Sequence, residues 1–255
     1  MQPNERRNVI LGKLNENEKI DIDALAAELN VSAMTIRRDL NYLEEQKQII
    51  RTLGGAILNK SLVEESSFST KEGKHSSEKQ RIAKKAAELV QERFTVLLDS
   101  GTTTLEIAKL LKNRRNLTVV TNDIKIAAEL MDSEVKVILT GGEMQNNIGA
   151  LFGPITEQIL LNLHVDLFFL GAHAVHHQVG VTAPALEKAY IKKLMIKSAQ
   201  ATWLVADSSK LDQKAFAKVC ELKALTGIIS DSGIANYYPH ELPELLEVVA
   251  AEEEA

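Results

Sequence analysis

The sequence is poor in the features that would assign it at a glance. It has one cysteine, Cys220, one tryptophan and only 4% aromatic residues in 255. A single thiol excludes an internal disulfide and any zinc site built from several cysteines, and it fits a reducing, cytoplasmic setting. No uninterrupted apolar run reaches the length of a membrane span. The longest candidate, residues 167–175, follows Asp166 and is broken by His173. The start places Glu5, Arg6 and Arg7 before a short patch, Val9-Ile10-Leu11, which lacks the apolar core of a signal peptide. There is no basic block either. The net charge is −5, and the first 60 residues hold nine basic and nine acidic residues, which leaves 21 basic against 26 acidic in the rest. A nucleic-acid partner must therefore be argued from where residues stand and not from bulk charge.

What is present is ordinary for a globular protein: 45% hydrophobic and 25% charged residues. At about 150 residues per domain the length allows one or two domains. Residues 1–58 read as three short helices and a hairpin. Val9, Ile10 and Leu14 recur at helical spacing in 6–15, and Ile22, Leu25, Ala26 and Leu29 do so in 21–29. After the break at Asn30-Val31, Ser32 caps a third helix running to about residue 46. Apolar runs at 49–51 and 56–58 around Leu53-Gly54-Gly55 then predict a β-hairpin.

On the third helix, at about 100° per residue, Ile36, Leu40 and Leu43 form one stripe, and Met34, Arg37, Arg38 and Asn41 fall on the opposite face. Arg can bridge guanine O6 and N7, and Asn can bridge adenine N6 and N7, in a groove that admits a helix. A helix, a turn and this helix make a helix-turn-helix, with the hairpin as a wing that carries Arg51 and Lys60 toward phosphates. Ser32 and Thr35 at the helix start join Met34, Arg37, Arg38, Asn41 and Arg51 as candidate DNA-contacting residues.

Residues 59–77 are Ser-, Lys- and Glu-rich and read as a linker. From residue 78 onward helical and strand patterns alternate, which predicts a mostly parallel open sheet with helices on both faces. Polar groups follow several of these strands. Asp99-Ser100-Gly101-Thr102-Thr103-Thr104 opens a helix, where exposed N–H groups and the helix dipole favour an anion. Thr121-Asn122, Thr140-Gly141-Gly142 and Asp207-Ser208-Ser209-Lys210 follow other strands, and parallel strand ends share one edge, where ligands bind. The Gly-Lys-Ser/Thr ending of a nucleotide-hydrolysing loop is missing. His173, His176 and His177 cluster in one loop with no adjacent Cys or acid, so no metal is expected and His173 is taken as a sugar contact.

Both halves of the chain carry a resemblance. Arg6-x3-Ile10-x3-Leu14 and Ser32-x2-Thr35-Ile36-Arg37-Arg38-Asp39-Leu40, with Arg51-Thr52-Leu53-Gly54-Gly55-Ala56, resemble the N-terminal signature of the DeoR family of bacterial transcription regulators. Asp99 to Thr104, Thr121-Asn122, Gly180-Val181-Thr182 with Glu187, and Asp207 to Lys210 are similar to that family's sugar-phosphate sensor domain, whose fold is that of ribose-5-phosphate isomerase. The resemblance implies a phosphorylated sugar held by the Thr-rich loop. Glu187 falls where the isomerases keep their base. Their Asp-Gly-Ala-Asp stretch is here Leu170-Gly171-Ala172-His173, so both aspartates are absent and binding without turnover is implied.

The expectation is a winged helix-turn-helix over 1–58, a linker over 59–77, and an α/β sensor and oligomerisation domain over 78–255. It is read as a cytoplasmic repressor of a sugar-utilisation operon with no cofactor. Its partners are double-stranded operator DNA and a phosphorylated sugar, and it forms a homodimer or homotetramer because one reader helix covers only a half-site. The alternatives are an isomerase-like enzyme and a protein-binding adaptor.

Overall fold

The computed structural model describes residues 2–17, 19–46, 48–58, 62–63, 65–237 and 247–251. Contacts divide the chain into two units, Met1–Ser61 and Leu62–Ala255. The first unit runs α1 (Pro3–Asn17), β1 (Lys19–Asp21), α2 (Ile22–Glu28), α3 (Ala33–Glu45), β2 (Ile49–Thr52) and β3 (Gly55–Leu58). Asp21 caps α2, accepting from the Asp23 and Ala24 amides at 2.9 and 3.0 Å, and Ser32 caps α3 through the Thr35 amide at 3.2 Å. Ile10, Leu14, Leu25, Ile36, Leu40, Leu43 and Ile49 close the core between the three helices and the sheet.

The strand β1 is absent from the sequence expectation. Three residues are too few to show alternation, and their partner is β3, at the far end of the unit, in a sheet ordered β1-β3-β2. That pairing explains the glycine pair of the hairpin. Gly54 turns with φ +83°, and a Cβ on Gly55 would stand 1.9 Å from the Ile20 carbonyl oxygen.

The second unit begins earlier than expected. Within the stretch read as a linker lie α4 (Phe68–Glu72) and the first turn of α5 (Ser76–Glu88), and the Phe68 amide donates to the Asn147 carbonyl at 3.0 Å. The polar sequence of this stretch hides that Phe68 is buried, as is Lys79 just beyond it.

Then follow β4 (Thr95–Leu98), α6 (Thr102–Leu111), β5 (Thr118–Thr121), α7 (Ile124–Glu129), β6 (Lys136–Leu139), β7 (Glu143–Met144), β8 (Leu151–Phe152), α8 (Pro154–Leu161) and β9 (Val165–Gly171). After them come β10 (Ala174–His176), β11 (Gly180–Ala183), α9 (Leu186–Ser198), β12 (Ala199–Val205), β13 (Ala217–Cys220), β14 (Gly227–Asp231) and β15 (Glu247–Ala251). Seven strands form one parallel sheet in the order β15-β14-β12-β9-β4-β5-β6. Alternate residues serve opposite faces. Leu97, Phe168 and Leu170 belong to one apolar layer, and Val96, Leu98, Leu167 and Phe169 to the other.

The sequence does not foresee the antiparallel sheet β10-β11-β13, because β13 follows an intervening helix and strand before it pairs with β11. Gly180, with φ +88°, makes this pairing possible; a Cβ there would meet the Cys220 carbonyl oxygen at 2.0 Å. Among the described residues no helix is long and apolar enough to cross a membrane. Lys60 and residues 252–255 lie outside the described residues.

Candidate functional sites

In the first unit, α3 turns Ile36, Asp39, Leu40 and Leu43 inward. Met34, Arg37, Arg38 and Asn41 are exposed together, as the periodicity predicts, and Thr35 is half-buried. Arg51 on β2 reaches back to this helix: its Nη1 donates to Asn41 Oδ1 at 2.5 Å and its amide to Glu44 Oε1 at 3.1 Å. An adenine contact through both Asn41 amide atoms would have to displace that guanidinium. Ser32 is occupied with capping, and its Oγ also shares a hydrogen bond of 2.9 Å with Thr35 Oγ1. Leu53, at the tip of the wing, is fully exposed.

The residue overlooked in the sequence is Asp39. Its buried carboxylate accepts from Arg6 Nε at 2.5 Å and Arg7 Nε at 3.1 Å, and the Arg7 guanidinium lies 3.7 Å over the Tyr42 ring. The reader helix is thereby locked to α1. An acidic residue on the inward stripe of an amphipathic helix was the available signal.

In the second unit the strand order reverses between β4 and β9: β4, β5 and β6 run one way from this point, and β9, β12 and β14 the other. Open parallel sheets leave a crevice there, beyond the carboxyl ends of the strands. Asp99 directly follows β4 on one side of it, and Gly171 ends β9 on the other. Asp99 Oδ2 accepts from the Gly171 amide at 3.0 Å and pairs closely with Lys192, whose Nζ also donates to the Gly171 carbonyl at 3.0 Å.

The Thr-rich loop opens α6 with no side-chain cap, so the N–H groups of its first turn keep no such partner. Thr102 and Thr103 are buried in that turn. Gly101 is extended, with φ 170°, a conformation any residue adopts, so glycine is not required there for backbone freedom. Ser100 Oγ donates to Asp123 Oδ2 at 2.6 Å. Burial raises the Asp123 carboxyl above its ordinary range against the pull of that bond. Beside it, Asn122 Nδ2 donates to the Leu151 carbonyl at 3.1 Å, while its Oδ1 is buried without a hydrogen-bond partner.

Several expected ligand residues have other duties. Thr104 Oγ1 donates to the Asp99 and Gly101 carbonyls at 2.6 and 2.9 Å, and Thr121 Oγ1 donates to the Leu98 carbonyl at 2.9 Å. Gly142, with φ +112°, packs so tightly that a Cβ would stand 2.2 Å from the Phe152 carbonyl oxygen, and the Gly141 carbonyl accepts from Thr156 Oγ1 at 2.5 Å. These four hold strand ends in place. Glu187 stands on the exposed side of α9.

The inward face of α9 instead carries Lys188 and Lys192, both largely buried. Lys188 pairs closely with Glu65, which also receives Lys71 Nζ at 2.7 Å and Gln145 Nε2 at 3.3 Å. Burial pushes Lys188 below its ordinary value. Burial by itself would raise Glu65, but the charges of Lys71 and Lys188 prevail and hold it at about 2. Two lysines four apart on a helix, interrupting the stripe of Ile191 and Met195, were the missed signal.

His173 feels the same groups. Burial, then the charge of Lys71, lowers it to about 4, which keeps the ring neutral near pH 7. Lys210 Nζ sits 3.9 Å from Asp207 Oδ2 and donates to Ser209 Oγ at 3.0 Å.

His176 and His177 stack at 4.3 Å, and Asp212 Oδ1 lies 3.6 Å from His176 Nε2 and 4.0 Å from His177 Nδ1. These three groups are close enough to share a cation. His176 Nδ1, however, accepts from the Gln178 amide at 3.1 Å. In a neutral ring the proton then sits on Nε2, which turns a donor and not a lone pair toward Asp212.

A DeoR-like helix-turn-helix domain matches residues 6–62, and a DeoR C-terminal sensor domain matches residues 74–232. The chain is 38% identical to an uncharacterized HTH-type transcriptional regulator of Haemophilus influenzae, over 92% of this chain and 91% of that one. It is 35% identical to the HTH-type transcriptional regulator GlpR of Haloferax volcanii, over 91% of each chain. It is 30% identical to the lactose phosphotransferase system repressor of Staphylococcus epidermidis, over 91% of this chain and 93% of that one. Among solved structures, ribose 5-phosphate isomerase A of Methanocaldococcus jannaschii covers 52% of this chain and 53% of its own, at 19% identity and a TM-score of 0.39. The relatives matched over about nine-tenths of the chain are named as regulators and not as enzymes, which sets the isomerase alternative aside. Both halves match one family in its own domain order, and the chain belongs to the DeoR family of DNA-binding transcription regulators.

Proposed function

We propose that the chain is a repressor that binds double-stranded operator DNA as a homodimer or homotetramer and is controlled by a phosphorylated sugar. Arg37 and Arg38 read base edges, Met34 supplies an apolar contact, and Arg51 positions the wing. The effector lies in the crevice between β4 and β9. One observation carries this assignment: the uncapped first turn of α6 opens at the reversal of strand order, beside a buried Asn122 Oδ1 that lacks a donor. The turn suits a phosphate, and the orphan carbonyl suits a sugar hydroxyl. Lys192 and Lys188 add positive charge, and neutral His173 adds one donor and one acceptor. That one relative is named for a lactose system agrees with a sugar-derived effector.

The test is fluorescence anisotropy with DNA from upstream of the protein's own operon, titrated with a panel of sugar phosphates. Tight binding reversed by one compound is the expected result. Absence of binding to every upstream fragment would overturn the operator assignment, and tight binding that no compound alters would overturn the effector assignment. Within the crevice, Thr102→Val is expected to weaken the effective compound at least severalfold. An unchanged dissociation constant would remove the Thr-rich loop from the site.

A further inference from the structure

One carboxylate of the protein itself, Glu65, pairs with Lys188 on the helix whose Lys192 reaches the crevice. Glu65 lies just after Leu62, the first residue of the second unit, in the stretch that follows the DNA-binding unit in the chain. Its side chain is 14% exposed, and three groups converge on it: Lys71 on Oε1, and Lys188 and Gln145 on Oε2. Gln145 Oε1 is buried without a partner. Lys188 lies one helical turn before Lys192, which holds Asp99 at the crevice floor. His173 feels the charges of Glu65, Lys71, Lys188 and Lys210 together, so these groups share one electrostatic neighbourhood.

Resting on the effector assignment above, we propose that Glu65 is a built-in competitor of the anionic effector. Its carboxylate holds Lys188 and Lys71 when the effector is absent. The effector's phosphate takes over these lysines and releases the segment that leads in from the DNA-binding unit. The physical reason is the balance within a buried ion pair. Desolvation of the two charges offsets most of their attraction, so the pair adds little net stability and is readily exchanged for a better one. A phosphate group near pH 7 carries between one and two negative charges and offers three acceptor oxygens, against one charge and two oxygens for the carboxylate. The exchange leaves Glu65 to be solvated by water, and the segment from 65 to 67 then loses its charged anchor. The effect on DNA binding passes through chain connectivity from that segment.

The test uses the full chain and inorganic phosphate. Calorimetric titration of Glu65→Gln is expected to give at least tenfold tighter phosphate binding than the unsubstituted protein, because glutamine keeps the shape and removes the competing charge. Equal or weaker binding would overturn the proposal. A second measurement needs no variant: on adding phosphate to the unsubstituted protein, hydrogen exchange in peptides covering 65–73 is expected to speed up severalfold. Unchanged or slowed exchange there would overturn it as well. Thr102→Val separates this proposal from the effector assignment. If phosphate binds, Thr102→Val weakens it and Glu65→Gln does not tighten it, the loop assignment stands and the competitor falls. If Glu65→Gln tightens phosphate and Thr102→Val has no effect, the competitor stands and the loop falls. No binding by any form overturns both.

Discussion

At the scale of single residues, charge and burial decide behaviour more than residue type does. His173 and Glu65 are neighbours with depressed pKa values, of about 4 and about 2. Between pH 6.5 and 4 the unfolded chain protonates His173 and the folded chain does not, so stability falls as pH drops through that window. Between pH 4.5 and 2 the same holds for Glu65, whose folded form stays ionised. Urea midpoints measured against pH should therefore fall below pH 6.5 and continue to fall below 4.5. His173→Gln should flatten the first part of the curve, and Glu65→Gln the second. Cys220 belongs to the opposite case: burial pushes its thiol up to about 11, so it is a poor nucleophile near neutral pH. On the reader helix, Arg38 is exposed and has no structural duty comparable to that of Asp39. Arg38→Ala should weaken operator binding by about 1–3 kcal/mol, the range for a bidentate base contact, with the melting temperature unchanged. Operator affinity equal to that of the parent would take Arg38 off the reading face.

At the scale of elements, buried ion pairs tie helices and strands to one another. The reader helix is held by one buried carboxylate with two guanidiniums on it. Removing one member of such a group leaves uncompensated buried charge, so Asp39→Ala should destabilise the first unit by about 3–5 kcal/mol. Thermal unfolding followed by circular dichroism would record it, and a loss below about 1 kcal/mol would mean that Arg6 and Arg7 are solvated without Asp39. In the second unit the comparable joint is the β4–β9 boundary, where the Gly171 amide, Asp99 and Lys192 close on one another. A Cβ on Gly171 would stand 3.2 Å from Asp99 Oδ2. The strand ends are thus tied across the same gap that the effector is proposed to enter.

At the scale of the whole molecule, the proposed function puts two ligands on one chain. If the effector weakens operator affinity by some factor, the operator must weaken effector affinity by the same factor, since both describe one coupling free energy. Titrating the effective sugar phosphate into the free protein and into the protein–operator complex should give dissociation constants whose ratio equals the ratio of operator affinities with and without effector. Unequal ratios would show that a further species, such as a change in oligomeric state, enters the cycle. Operator affinity should also fall steeply as salt rises, because each phosphate contact releases counterions. A flat salt dependence would favour a protein-binding role for the first unit.

Periodicity and short-range chemistry determined much of this protein before any coordinates. The stripe of Ile36, Leu40 and Leu43 fixed which side of α3 faces solvent, and Ser32 marked where the helix begins. Alternating helix and strand patterns after residue 78 specified a parallel sheet, and polar residues after successive strands marked the edge where the effector is proposed to bind. Those signals lie within a few residues of one another, where helical and pleated repeats are visible. Everything that depends on distant partners was decided by tertiary structure. Strand β1 and the sheet β10-β11-β13 pair across long stretches of chain. Asp212 meets His176 only through folding. Helix α9 places Lys188 and Lys192 inward and leaves Glu187 outside. A polar stretch that resembles a linker holds Glu65, and only the fold sets it between Lys71 and Lys188, because ion pairing depends on proximity in space and leaves no period in the sequence.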